Sequence, residues 1–78
     1  MIVLYQTDWC SYCLRVRNAF DELGVEYQTV NVPDDHADRD QVRDLFGTTG
    51  VPSITDGDLK IADDDDAIIA YARKKFKK

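Results

Sequence analysis

The chain has only two cysteines in 78 residues, at positions 10 and 13, too few for the disulfide framework of a small secreted scaffold. Histidine is single. A structural zinc site wants four Cys or His ligands, and Cys10, Cys13 and His36 cannot complete one, so no metal is expected and His36 reads as a solvated loop residue. Proline occurs twice and glycine four times, leaving no linker, repeat or low-complexity tract. Long apolar runs are missing as well. None approaches the ~20 residues that span a bilayer, and Met1–Tyr5 is too short for the core of a signal peptide. The expectation is a mature, soluble, cytoplasmic monomer without a membrane partner. Positive charge is in deficit, with 10 Lys and Arg against 15 Asp and Glu and a net charge of −5. Phosphate binding needs cations clustered on one face, which argues against nucleic acid. The one basic cluster is Arg73, Lys74, Lys75, Lys77 and Lys78. It reads as the last turn of a helix, offsetting its dipole, plus a solvated tail.

What is present fits one small domain over residues 1–78, with 44% apolar and 32% charged residues and room for one modest core. Residues 2–6 form an apolar run expected as a strand buried on both faces. The turn Thr7-Asp8-Trp9 leads into a helix over 11–23, whose apolar positions Cys13, Val16, Phe20 and Leu23 share a stripe. Gly24 suits a left-handed C-cap. Residues 26–32 read as a second strand, and strand–helix–strand in about 30 residues implies a parallel pair with a right-handed crossover. Asp38 with Gln41 is a capping-box pattern for a helix over 39–46, stopped by Gly47. Asp56-Gly57-Asp58 signals a hairpin between Ser53–Thr55 and Leu59–Ile61. Asp63–Asp66 precede a last helix with Ile68, Ile69, Ala72 and Phe76 on its apolar face, and four acids suit its positive end.

Cys10 and Cys13 stand at a helix start. Residues three apart on a helix are neighbours, so their sulfurs can close a short disulfide. Free N–H groups and the dipole favour a thiolate at Cys10, and thiolate is the species that attacks a disulfide. Cys13 falls on the apolar stripe, so it is expected to be buried and to act second.

Trp9-Cys10-Ser11-Tyr12-Cys13, Gly50-Val51-Pro52 and Ile61-Ala62-Asp63-Asp64-Asp65 match, in order and spacing, the C-P-Y-C, T-V-P and G-G-x-D-D elements of glutaredoxins, which the chain resembles over its whole length. Val51–Tyr71 is also similar to the N-terminal domain of glutathione transferases. The resemblance implies a thioredoxin-like α/β fold in the order β-α-β-α-β-β-α, a four-stranded mixed sheet with helices on both faces. It implies a thiol–disulfide oxidoreductase with Cys10 as nucleophile and Cys13 resolving the mixed disulfide. Tyr12 would wall the sulfur, and Val51-Pro52 would be a cis pair leaving the Val51 backbone free to meet substrate. Asp64 and Asp65 would meet the γ-glutamyl end of glutathione. No cofactor is implied; glutathione or a related low-molecular-weight thiol is the co-substrate, and disulfide-containing proteins are partners.

Three positions depart from the family pattern. Ser11 stands for the usual proline, Gly50 for the threonine of T-V-P, and Thr7 for a lysine that helps hold the glycine carboxylate of glutathione. The lost lysine points to a thiol without that glycine, such as γ-glutamylcysteine, unless Arg39 and Arg43 substitute for it. It also keeps open a redoxin reduced by a disulfide reductase such as thioredoxin reductase. Ser11 keeps open a relative that bridges an iron–sulfur cluster between two chains. A stand-alone transferase is disfavoured, because no helical second domain is encoded.

Overall fold

The apolar run that opens the chain becomes the interior of a sheet. The computed structural model describes residues 1–76, with elements β1 (Ile2–Gln6), α1 (Ser11–Leu23), β2 (Tyr27–Asn31), a 3-10 turn (His36–Asp38), α2 (Asp40–Phe46), β3 (Ser53–Asp56), β4 (Leu59–Ile61) and α3 (Asp65–Lys75). Lys77 and Lys78 of the basic cluster lie outside these residues. The strand order is β2-β1-β3-β4. β1 runs parallel to β2 and antiparallel to β3, and β3 runs antiparallel to β4.

Successive side chains of a strand point to opposite faces, and both faces of β1 are covered. Ile2 and Leu4 join Val16, Phe20, Ile54, Ile68 and Ala72 in a core beneath α1 and α3. Tyr5 joins Val32 and Val42 beneath α2, with Val3, Leu45 and Phe46 packed around them. Hence β1 reads as an unbroken apolar run rather than an alternation, and helices lie on both faces as expected. Phe20 is fully buried and meets Tyr27 edge-on, with ring centroids 5.0 Å apart. Gly24 ends α1 at φ 69°, a conformation that costs glycine little and a β-carbon more.

The capping box of the second helix is not formed. Asp38 belongs to the 3-10 turn, which Asp35 caps by accepting from the Ala37 N–H at 3.0 Å. α2 starts at Asp40 with Arg39 at its N-cap and no side-chain cap bond. The reason is tertiary: the Arg39 side chain is drawn inward to the carbonyls of Pro33, Asp34 and Thr49. The four aspartates before α3 also divide. Asp64 is the N-cap, Asp65 and Asp66 lie in the first turn, and Asp63 stays outside the helix. At the other end of α3, Lys75 and the Tyr71 hydroxyl donate to Asp56, which holds that carboxyl below its ordinary range and ties the helix to the end of β3. No helix among the described residues is long and apolar enough to cross a membrane.

Phe20→Ala is expected to cost about 3–5 kcal/mol, through lost burial and the cavity left between α1 and the sheet. Since small domains hold only about 5–15 kcal/mol in all, the loss should be a large fraction of the stability, read as a lower urea midpoint at unchanged slope.

Candidate functional site

Strand directions bring four connections to one end of the sheet. Gln6 pairs with Asn31 in the parallel ladder, so the segments following β1 and β2 leave side by side. Tyr5 pairs with Ser53, which sets the entry to β3 against the exit of β1. Ile54 pairs with Ile61, so the chain leaving β4 returns to the same place. Residues 7–10, 32–39, 48–52 and 62–64 therefore meet, and a cleft of about 140 Å³ opens among them.

Cys10 is the N-cap of α1, with extended backbone at φ −78° and ψ 119°. Its Sγ accepts the Cys13 N–H at 3.3 Å, so the sulfur takes the place of the oxygen of an ordinary capping side chain. Both cysteines are free thiols; Cys10 is partly exposed and lines the cleft, while Cys13, one turn on, is buried. Burial and the hydrogen bond with Cys10 push the Cys13 thiol up to about 12, against a smaller pull downward from the Thr7 backbone and Arg17. One sulfur is presented and the other withheld.

The wall facing Cys10 is built from Gly50, Val51 and Asp63. Val51-Pro52 is cis, as the resemblance implied; Pro52 is buried and Val51 is half-buried. The buried Ser53 hydroxyl joins the wall together: it donates to the Gly50 carbonyl and accepts from the Asp63 N–H, each at 2.9 Å. Asp63 sits at φ +49°, a left-handed conformation that Asp tolerates better than most residues. A β-carbon built on Gly50 would lie 2.2 Å from Asp63 Cγ. The Asp63 carboxylate thus fills the space that the threonine of T-V-P would take, and the carboxylate has no partner among the described residues.

The adjoining wall carries His36 and Arg39. Arg39 is 2% exposed, and its Nε donates to the Pro33 carbonyl at 2.7 Å, Nη1 to Thr49 at 3.0 Å and Nη2 to Asp34 at 3.1 Å. Nη1 also faces His36 Nε2 at 3.3 Å, and His36 Nδ1 meets Thr49 Oγ1 at 3.1 Å. A guanidinium can only donate, which places the ring proton on Nδ1. His36 is exposed, as expected, but anchored at both nitrogens rather than loose in a loop. Thr7 completes the floor. It is buried, and its Oγ1 is the buried side-chain oxygen without a partner among the described residues. Trp9 stands at the rim, its indole N–H donating to Asp34 at 2.7 Å.

Of the residues singled out from sequence, Cys10 and Val51 line the cleft and Cys13 and Pro52 lie beneath it. Tyr12 is 60% exposed and outside the lining. Asp64 is occupied as the cap of α3, accepting from Ala67 N–H at 3.0 Å, and Asp65 pairs with Arg15. Arg43 pairs with Asp40 at 2.9 Å, away from the cleft. Asp63, Trp9 and His36 were not assigned to the site from sequence, and Arg39, weighed there as a carboxylate partner, lines the cleft with its guanidinium already engaged. One signal was available: a glycine in the threonine position leaves room that some neighbour must fill.

A fold of this order with a cysteine pair at the first helix start, facing a cis-proline, defines a thioredoxin-like redox domain. The glutaredoxin family model matches residues 2–60. A glutaredoxin of Pseudomonas aeruginosa is 31% identical over 65 residues, 83% of this chain and 77% of that protein. A glutaredoxin-like 8.6 kDa protein of the rubredoxin operon of Clostridium pasteurianum is 33% identical over 60 residues, 76% of this chain and 80% of that one. The chain belongs to the glutaredoxin family, a family of thiol oxidoreductases. Among solved structures, a glutathione transferase homologue from Drosophila mojavensis, with bound glutathione, superposes at a TM-score of 0.89 and 26% identity over 99% of this chain. Glutathione S-transferase-I bound with lactoylglutathione gives 0.85 and 27% over 97%. This chain spans 36% and 37% of those two transferases, so the likeness is to one part of each.

The contrast between the two sulfurs has a direct readout. With the fold intact at neutral pH, iodoacetamide is expected to label Cys10 alone, and Cys13 only after denaturation, as followed by mass spectrometry of peptides. The folded state holds the Cys13 proton more tightly than an unfolded cysteine with its value near 9. The associated stability is therefore fully present below pH 9 and lost as pH rises toward about 12, so the urea midpoint of the reduced protein should fall across that window.

Proposed function

We propose that this glutaredoxin reduces mixed disulfides of proteins and of low-molecular-weight thiols, with Cys10 as the attacking thiolate and Cys13 as the resolving thiol. The observation that carries the reading is the placement of Cys10 Sγ: it caps the helix, accepts the Cys13 N–H, and opens on the cleft. A partly exposed sulfur at a helix start, opening on the cleft, is placed to meet an incoming disulfide, the first step of thiol–disulfide exchange. Val51, half-buried and lining the cleft beside the buried Pro52, offers backbone groups to an extended substrate, in the manner of an added strand.

Attack by Cys10 breaks the substrate S–S bond and leaves one half of the substrate bound to Cys10. The departing sulfur takes the bond's electron pair and picks up a proton from solvent. Cys13 then displaces the bound half and forms the internal disulfide, or a second thiol molecule displaces it instead and leaves Cys13 unused. A reduced thiol pool returns the internal disulfide to the dithiol.

The co-substrate is best read as a γ-glutamyl thiol whose amino end meets Asp63. Asp64 and Asp65 are occupied by the helix cap and by Arg15, whereas the Asp63 carboxylate lines the cleft and has no partner among the described residues. The other end of glutathione is less well served. Thr7 stands where relatives have lysine, Arg39 is engaged with backbone carbonyls, and Arg43 lies off the cleft. A thiol lacking the glycine carboxylate, such as γ-glutamylcysteine, fits these surroundings better.

Cys10→Ser is expected to abolish reduction of every disulfide. Cys13→Ser should keep turnover of low-molecular-weight mixed disulfides and lose that of protein disulfides; full activity in Cys10→Ser would overturn the assignment. For the thiol, turnover of matched mixed disulfides of γ-glutamylcysteine and glutathione decides. The former is expected to be faster by about threefold to tenfold, the size of one partly exposed charge contact, and a clear preference for glutathione defeats the idea.

A further inference from the structure

The second half of the reaction sets a physical problem, because its nucleophile is buried. Cys13 is fully inaccessible and held as a thiol, yet it must become a thiolate to attack. Two groups oppose its burial, the backbone N–H of Thr7 and the guanidinium of Arg17. Only the second brings a charge.

Arg17 follows Cys13 by four positions on α1, so the two are neighbours on successive turns, with β-carbons about 5–6 Å apart. It is half-buried, and its Nη1 donates to Gln6 Oε1. Gln6 ends β1, is buried, and is itself fixed by donating to Asn31 Oδ1 on β2 at 2.7 Å, with Asp8 Oδ1 at 3.4 Å. The sheet thus holds the guanidinium by a neutral amide. No ion pair among the described residues includes Arg17, whereas Arg15, two positions earlier, is paired with Asp65 and Asp66 on α3. The Arg17 charge is left unneutralised on the turn that follows the buried sulfur.

We propose that Arg17, anchored by Gln6, is the positioning residue of the resolving step, its charge favouring the Cys13 thiolate as it attacks the mixed disulfide on Cys10. The proposal rests on Cys13 being the resolving thiol. In the step, Cys13 Sγ bonds to Cys10 Sγ and the bond between Cys10 and the substrate sulfur breaks. The broken bond's electron pair goes to the substrate sulfur, which receives the proton given up by Cys13 and leaves as a thiol. The other charged and titratable groups on this side are Cys10, Asp8 beyond Gln6, Asp21 one turn after Arg17, and Tyr27, whose hydroxyl lies 3.5 Å from Asp21.

Stopped-flow reaction of the reduced protein with 5,5′-dithiobis(2-nitrobenzoate) separates the steps. The first thionitrobenzoate is released by Cys10, and the second by Cys13 resolving the adduct. Arg17→Met should leave the first phase within about twofold and slow the second by about threefold to tenfold. The lower thiolate fraction is partly compensated by the greater nucleophilicity of a more basic thiol. The pH at which the second phase rises should move upward in Arg17→Met and stay in place in Arg17→Lys; Arg17→Gln serves as a second neutral variant should the methionine fail to fold. A merely structural role would slow both phases together without moving that pH, and this result overturns the proposal, as does an unchanged second phase. If the wild type releases no second equivalent and matches Cys13→Ser, the reading of Cys13 as resolving thiol fails, and the role of Arg17 with it.

Discussion

The antiparallel ladder between β1 and β3 decides where all the chemistry of this protein comes to lie. Its register, Tyr5 opposite Ser53, sets the exit of one strand against the entry of the other, and so Cys10 against Val51-Pro52. The parallel partner β2 adds the segment carrying His36 and Arg39, and the hairpin partner β4 returns Asp63. A slip of one residue would turn every side chain of β1 to the wrong face, and burial on both faces forbids it. The helices are fixed by the same strand, because Ile2 and Leu4 serve α1 and α3 while Tyr5 serves α2.

On that frame the site works by unequal treatment of like groups. Two cysteines three residues apart share a helix, yet one caps its open end and lines the cleft while the other faces the core. Four consecutive aspartates share a helix start, yet one caps, one pairs with Arg15 and its neighbour joins that pair, and one is turned into the cleft. Three arginines differ likewise: Arg15 is neutralised by acids, Arg39 by carbonyl dipoles, and Arg17 keeps its charge beside a neutral amide. Burial and hydrogen bonding, not residue type, assign these roles.

Much of this was legible in the residues themselves. The apolar run 2–6, the stripe Cys13-Val16-Phe20, and the glycines at 24, 47 and 57 mark strand, helix and turns through short-range sterics and periodicity, which need no partner to be read. The capping box at Asp38 was misread because Arg39, the next residue, is pulled into a buried network reaching Thr49, ten positions away. Nothing local signals such a contact. The role of Tyr12 as a wall was carried over from the family motif, and its ring faces solvent, while Trp9 takes the rim by bonding Asp34 across 25 positions.

By itself, then, the sequence determined the order of elements, the cysteine pair at a helix start, and the family to which the chain belongs, since each is written in local spacing. Only the tertiary structure decided which carboxylate reaches the cleft, that Arg17 is held by a neutral amide rather than an acid, and that Gly50 makes room for Asp63. Those outcomes depend on strands pairing across dozens of residues, and a side chain's charge acquires its meaning only from the neighbours that such pairing supplies.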